Sequence, residues 1–111
     1  MKLFAALKKL REFERLQLPF LKSLIDFDII IEIGYAQEQK QPLTPKQLFL
    51  LNLGSRTTVR RRLAKLVEQG IVTRRTNAKD RRSDVLAIGS SSLKLLGKYG
   101  KVLTATSVLI G

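Results

Sequence analysis

The chain contains no cysteine, no histidine and no tryptophan. Without cysteine there is no disulfide framework, no thiolate zinc site and no thiol nucleophile. Without histidine the usual general base and the commonest metal ligand are both missing. A secreted scaffold and a zinc enzyme are therefore disfavoured. Long apolar runs are lacking too. The most apolar stretch, residues 20–36, is broken by Lys22, Asp26, Asp28 and Glu32. A spanning helix needs about 20 predominantly apolar residues, so this stretch does not read as one. Residues 1–10 are basic and apolar, but no small-residue cleavage site follows a sustained apolar run, and no signal peptide is expected. The expected setting is the cytoplasm.

Acidic residues are scarce. Nine Asp and Glu face 21 Lys and Arg, for a net charge of +12 in 111 residues. That length suits one domain, and a hydrophobic content of 44% is enough for a core. Such a basic balance favours a polyanionic partner, nucleic acid first and an acidic membrane surface second. The charge is concentrated. Residues 1–43 hold seven Lys/Arg against six acids, residues 44–84 hold eleven against three, and residues 85–111 hold three against none, giving +1, +8 and +3. Ten of the eleven central cations lie between Arg56 and Arg82, the footprint of one or two basic elements.

Hydrophobic spacing predicts a helix over 2–17, with Leu3, Leu7 and Leu10 on one stripe widened by Phe4, Phe13 and Leu16. A second helix is expected over 20–38, although the β-branched run Ile29–Ile31 leaves a strand as a competitor. Thr44-Pro45-Lys46-Gln47 reads as a helix start, with a capping Thr, Pro at the first helical position and a capping-box Gln. Leu48, Phe49, Leu51 and Leu53 would supply its buried face, up to Gly54. Ser55 opens the next helix and Gly70 closes it. Two helices joined by a short Gly-containing turn form a helix-turn-helix. Residues 71–75 and 85–88 read as a β-hairpin with a basic loop near 76–83. Ser90 is placed to cap a last helix bearing Leu93, Leu96, Tyr99 and Leu103. The fold class expected is mainly α, a winged helix-turn-helix with a two-stranded β wing.

The helix after Ser55 divides cleanly at about 100° per residue. Val59, Leu63, Leu66 and Val67 fall on one stripe. Thr57, Thr58, Arg61, Ala64 and Lys65 fall opposite, with Arg60 and Arg62 flanking the stripe. An exposed helix with a small residue at mid-face suits a major groove, where Arg61 is the candidate for base edges. Thr57 and Thr58 lie in the first turn, the end that approaches bases in this docking mode. Arg56, Arg60 and Lys65 are better placed for phosphates. A run such as Arg60-Arg61-Arg62 is by itself usually a solvated face; a helix-turn-helix and a basic hairpin around it favour nucleic acid.

Residues 55–75 and the turn Asp80-Arg81-Arg82-Ser83 resemble the MarR family of winged-helix transcriptional regulators. The resemblance rests on the exit Leu66-x-x-x-Gly70-x-Val72, on Asp80-x-Arg82 at the wing tip, and on Leu86-x-Ile88-x-Ser90 and Leu93-Lys94 downstream. It covers about residues 44–98. It implies a homodimer on pseudo-palindromic double-stranded DNA, a recognition helix starting at Ser55, and Arg82 entering the minor groove with Asp80 orienting it by an ion pair. The DNA-binding set expected is Ser55, Arg56, Thr57, Thr58, Arg60, Arg61, Lys65, Arg74, Arg75, Lys79, Asp80, Arg81 and Arg82. The chain looks short for the family, so a dimer has to combine residues 1–18 with residues 90–111, leaving 44–89 as the DNA module of one domain. Cysteine-based oxidant sensing, a family habit, is closed to this chain, and nothing in the sequence marks an effector pocket.

Other classes carry less. Asp80 and Asp84 as a carboxylate pair, or the hydroxyls of Ser90, Ser91 and Ser92, lack a base and a glycine-rich phosphate loop. No enzyme activity, catalytic residue, cofactor or metal site is expected. A membrane-surface role for residues 1–16 is countered by Glu12 and Glu14. A winged helix used in plasmid or phage replication, or in RNA or protein contact, is the alternative reading.

Overall fold

The computed structural model describes the backbone of residues 3–76 and 84–110, and side chains within those ranges up to Ala105. In chain order the elements are α1 (Leu3–Gln17), α2 (Leu24–Glu38), α3 (Pro45–Phe49), α4 (Arg56–Glu68), β1 (Val72–Thr76), β2 (Asp84–Ile88) and α5 (Ser90–Ile110). β1 and β2 form a two-stranded antiparallel sheet in which Val72 pairs with Ile88, Arg74 with Leu86 and Thr76 with Asp84. This is the winged helix-turn-helix that the sequence predicts. The chain divides into two compact units, residues 1–21 with 90–111, and residues 22–89.

In the second unit α2 is the central support. Ile29, Ile30, Ile33 and Ala36 are buried at helical spacing, so the β-branched run is helical rather than extended. Against them lie Leu48 of α3, Val59, Leu63 and Leu66 of α4, and Ile71, Val72, Leu86 and Ile88 around the sheet. Each fully buried side chain of this kind contributes about 1.5–3 kcal/mol. Two polar contacts tie the wing to this core. The Leu86 amide donates to the Leu43 carbonyl at 2.8 Å, and the Ile88 amide donates to the side-chain oxygen of Gln37 at 2.9 Å.

Two expected boundaries move. α2 starts at Leu24, not at residue 20, because Ser23 is its N-cap. The Asp26 amide donates to the Ser23 hydroxyl at 3.3 Å, and the Asp26 carboxylate accepts the Lys22 amide at 2.8 Å. Two otherwise orphaned donors are thereby satisfied one turn later than the sequence reading places the start. α3 ends at Phe49 with Leu50 as its C-cap, well short of Gly54. The chain then passes through Asn52 in the left-handed region, at φ 56°. This turn leaves Leu51 exposed and only Leu48 fully buried on the expected face. Gly54 sits where a Cβ would lie 2.9 Å from Ile25 Cδ1, so this turn approaches α2 closely.

The first unit pairs α1 with α5. Its polar centre is Tyr99, whose hydroxyl donates to Glu14 Oε2 at 2.8 Å while its ring stacks on Phe13 at 5.6 Å. Burial, and then this hydrogen bond, push the Tyr99 hydroxyl up to about 12. Phe4, Leu7, Leu16, Leu93 and Leu103 are large apolar side chains left exposed here.

Candidate nucleic-acid interface

The helix-turn-helix is built by two caps that the sequence spells out. Thr44 Oγ1 accepts the Gln47 amide at 3.2 Å, and Gln47 Oε1 accepts the Thr44 amide at 2.9 Å, a complete capping box with Pro45 at the first position. Ser55 caps α4 by accepting the Thr58 amide at 3.2 Å. At the other end Gly70 takes φ 75°, which only glycine adopts without strain. Gly89 enters the adjoining strand end so closely that a Cβ there would collide with the Gly70 carbonyl oxygen.

α4 then presents two faces. Val59, Leu63 and Leu66 are buried. Arg56, Thr57, Arg60, Arg61, Ala64 and Lys65 are exposed. The cations on this helix are not equivalent. Arg56 and Arg60 both lie over the ring of Phe49 in α3, at 5.9 and 5.5 Å from its centroid. Arg62 turns inward to Asp26 of α2: its Nε donates to Oδ1 at 2.7 Å and its Nη2 to Oδ2 at 2.9 Å. Asp26 is wholly buried while the Arg62 side chain keeps 21% of its exposure. The hydrogen bond to Asp26 raises the Arg62 pKa above its ordinary value, against the opposing effect of burial. Arg61 and Lys65 have no polar or ring partner among the described residues. The exposed surface of α4 therefore carries two cations steadied on an aromatic ring and two without a side-chain partner among the described residues.

The first-turn hydroxyls are partly engaged. Ser55 Oγ donates to Thr58 Oγ1 at 2.8 Å, which leaves Thr57 as the exposed hydroxyl without a partner among the described residues. On β1, Arg74 and Arg75 are exposed, and Arg74 Nε lies 3.3 Å from Asp84 Oδ2 on the neighbouring strand. Lys79, Asp80, Arg81 and Arg82 lie outside the described residues. Phe49 and the Asp26–Arg62 pair were not among the expected site residues. A capping-box reading of Ser23-x-x-Asp26 marks Asp26 as a helix-start acid, but no local pattern joins it to a residue 36 positions away.

Among the described residues no group of three or more acids could hold a metal ion, and no helix is long and apolar enough to cross a membrane. No curated protein matches the sequence. Several solved structures do resemble it. The transcriptional regulator Tm0710 from Thermotoga maritima superposes with a TM-score of 0.62 at 24% identity over 89% of this chain, which spans 65% of that longer protein. The S. aureus MepR–DNA complex gives a TM-score of 0.69 at 16% identity, covering 96% of this chain and 86% of that one. A mutant MarR from E. coli complexed with operator DNA gives 0.58 at 18% identity, covering 91% and 70%. At these identities the likeness is one of fold. The sequence of residues 23–83, more than half of the chain and the whole helix-turn-helix, matches the MarR family model, and the chain belongs to the MarR family.

Proposed function

We propose that the protein is a homodimeric repressor that binds double-stranded DNA in a sequence-specific manner, with α4 in the major groove and the wing in the minor groove. One observation carries this reading. α4 is docked by Val59, Leu63 and Leu66 and offers Arg61, Thr57, Ala64 and Lys65 on its opposite, exposed side. A free guanidinium beside a small residue and a hydroxyl is the chemistry that reads base edges. Arg56, Arg60, Arg74, Arg75 and Lys79 take phosphates. Ser55 and Thr58 order the first turn of α4. Arg82, oriented by Asp80 and flanked by Arg81, enters the minor groove, where a narrow groove concentrates negative potential.

The exposed apolar side chains of α1 and α5, Phe4 and Leu16 above all, support a second copy as the partner of that unit. Two-fold symmetry then sets two recognition helices about 34 Å apart, one turn of B-form DNA. The test is selection from a random duplex pool, followed by titration of the selected and a scrambled duplex over a range of salt. The expected result is a clear preference for the selected sequence, a footprint with two half-sites, and an affinity that falls steeply with salt through counterion release. A protein that ignores duplex DNA even at low ionic strength, or that prefers single strands or A-form RNA, overturns the reading.

A further inference from the structure

We infer that Asp26 is a positioning residue for sequence readout, acting through its two-point grip on Arg62 to set the rotation of α4 about its own axis. The inference rests on the DNA-binding reading above and deepens it.

The arrangement is more than an ion pair in the core. Asp26 is wholly buried, and every part of its carboxylate is engaged. Oδ1 accepts Arg62 Nε at 2.7 Å, and Oδ2 accepts both Arg62 Nη2 at 2.9 Å and the Lys22 amide at 2.8 Å. Its own amide is held by the Ser23 cap. The acceptor is thus fixed to the first turn of α2, the helix against which the core of this unit packs. Two parallel hydrogen bonds to a planar guanidinium define direction as well as distance. A single charge contact, or one more apolar contact, constrains distance without direction and so restrains the roll of α4 less tightly.

Energetics points the same way. Burying a carboxylate and a guanidinium costs desolvation that their attraction largely cancels, and well-packed apolar pairs of similar volume often hold a fold as firmly. What an apolar pair does not supply is a set angle. Arg62 follows directly after Arg61, so whatever fixes the azimuth of one fixes the other. A roll of about 10° moves a point at the outer helix radius, about 5–6 Å, by about 1 Å. Recognition constellations tolerate displacements of only about 0.5 Å. Phosphate contacts from the exposed Arg56, Arg60 and Lys65 side chains read no base edge and tolerate such a roll. A bidentate base contact from Arg61 does not.

The test measures discrimination, the ratio of affinities for the selected and a random duplex at one salt concentration, together with thermal stability. Arg62→Lys keeps the charge and loses the fork. The double variant Asp26→Val/Arg62→Met removes both ions and nearly keeps the combined volume. Arg62→Lys is expected to hold random-duplex affinity within about twofold and to lose about fivefold or more on the selected duplex. The double variant, folded and melting near the wild type, is expected to show the same loss of discrimination. Wild-type discrimination retained by either variant in folded form overturns the inference and leaves the pair a structural contact, with the DNA-binding reading intact. A wild-type protein that does not discriminate overturns that reading itself, and this inference with it.

Discussion

The guanidinium of Arg60 lies 5.5 Å above the centre of the Phe49 ring, and that of Arg56 lies 5.9 Å from the same ring. One side chain of α3 therefore steadies two cations of α4, which restricts their rotamers before any ligand arrives. Exposed contacts of this kind are worth about 0.5–1 kcal/mol each. Phe49→Leu keeps an apolar filler and removes the ring. It is expected to weaken binding to selected and random duplexes alike, by about two- to fivefold, with little change in melting temperature. Fluorescence anisotropy on both duplexes, beside a thermal melt, checks this.

Arg61 has no side-chain partner among the described residues, where Arg56, Arg60 and Arg62 are each held. Arg61→Ala is expected to cost about 1–3 kcal/mol on the selected duplex and much less on a random one. Arg74→Ala or Arg82→Ala is expected to weaken both and to flatten the dependence on salt. Equal losses on the two duplexes for Arg61→Ala rule out base reading by this residue.

The two glycines that bracket the exit from α4 fail for different reasons when substituted. Gly70 stands in open space at φ 75°, so Gly70→Ala costs about 1–2 kcal/mol through backbone strain alone. Gly89 meets the Gly70 carbonyl oxygen, a backbone atom with no rotamer to yield. Gly89→Ala is expected to destabilise more than Gly70→Ala in urea titrations; the reverse order contradicts the geometry of the wing base.

Thr44→Ala removes the acceptor for the Gln47 amide at the start of α3. A loss of about 1 kcal/mol is expected, read as a lower urea midpoint with unchanged slope.

Tyr99 titrates above its ordinary value near 10 because burial and the hydrogen bond to Glu14 favour the protonated form, which moves its pKa to about 12. The folded-state pKa is the higher one, so the associated stability is fully present below about pH 10 and is lost as pH rises through about 12. Tyr99→Phe has no such group. The difference in stability between wild type and Tyr99→Phe is expected to be constant below about pH 10 and to shrink between 10 and 12; a constant difference across that window contradicts the assignment.

Much of this molecule was legible in short stretches of chain. The Thr44–Gln47 box, the Ser55 cap and the Gly70 stop each appear where the sequence places them, because each depends on hydrogen bonds and backbone angles spanning three or four residues. The buried stripe of α4 follows from 3.6-residue periodicity, and the strands differ from expectation by one residue at their ends. The helix over 24–38 was harder to read, since its isoleucines suit a strand equally well in isolation. Its start at Leu24 depends on a cap formed by Ser23 and Asp26, inside the stretch over which apolar spacing alone predicts a helix.

Local sequence thus settled the element types, the caps, and which side of α4 is apolar and which cationic, since these are short-range properties of propensity, periodicity and charge. It did not settle how the cations divide their duties. Arg56, Arg60, Arg61 and Arg62 differ little as letters, yet folding sets two over Phe49, one into the Asp26 carboxylate and one without a side-chain partner among the described residues. That division depends on residues as far as 36 positions apart, brought together by burial of the α2 isoleucines. Non-local packing supplies partners that no window of neighbouring residues contains.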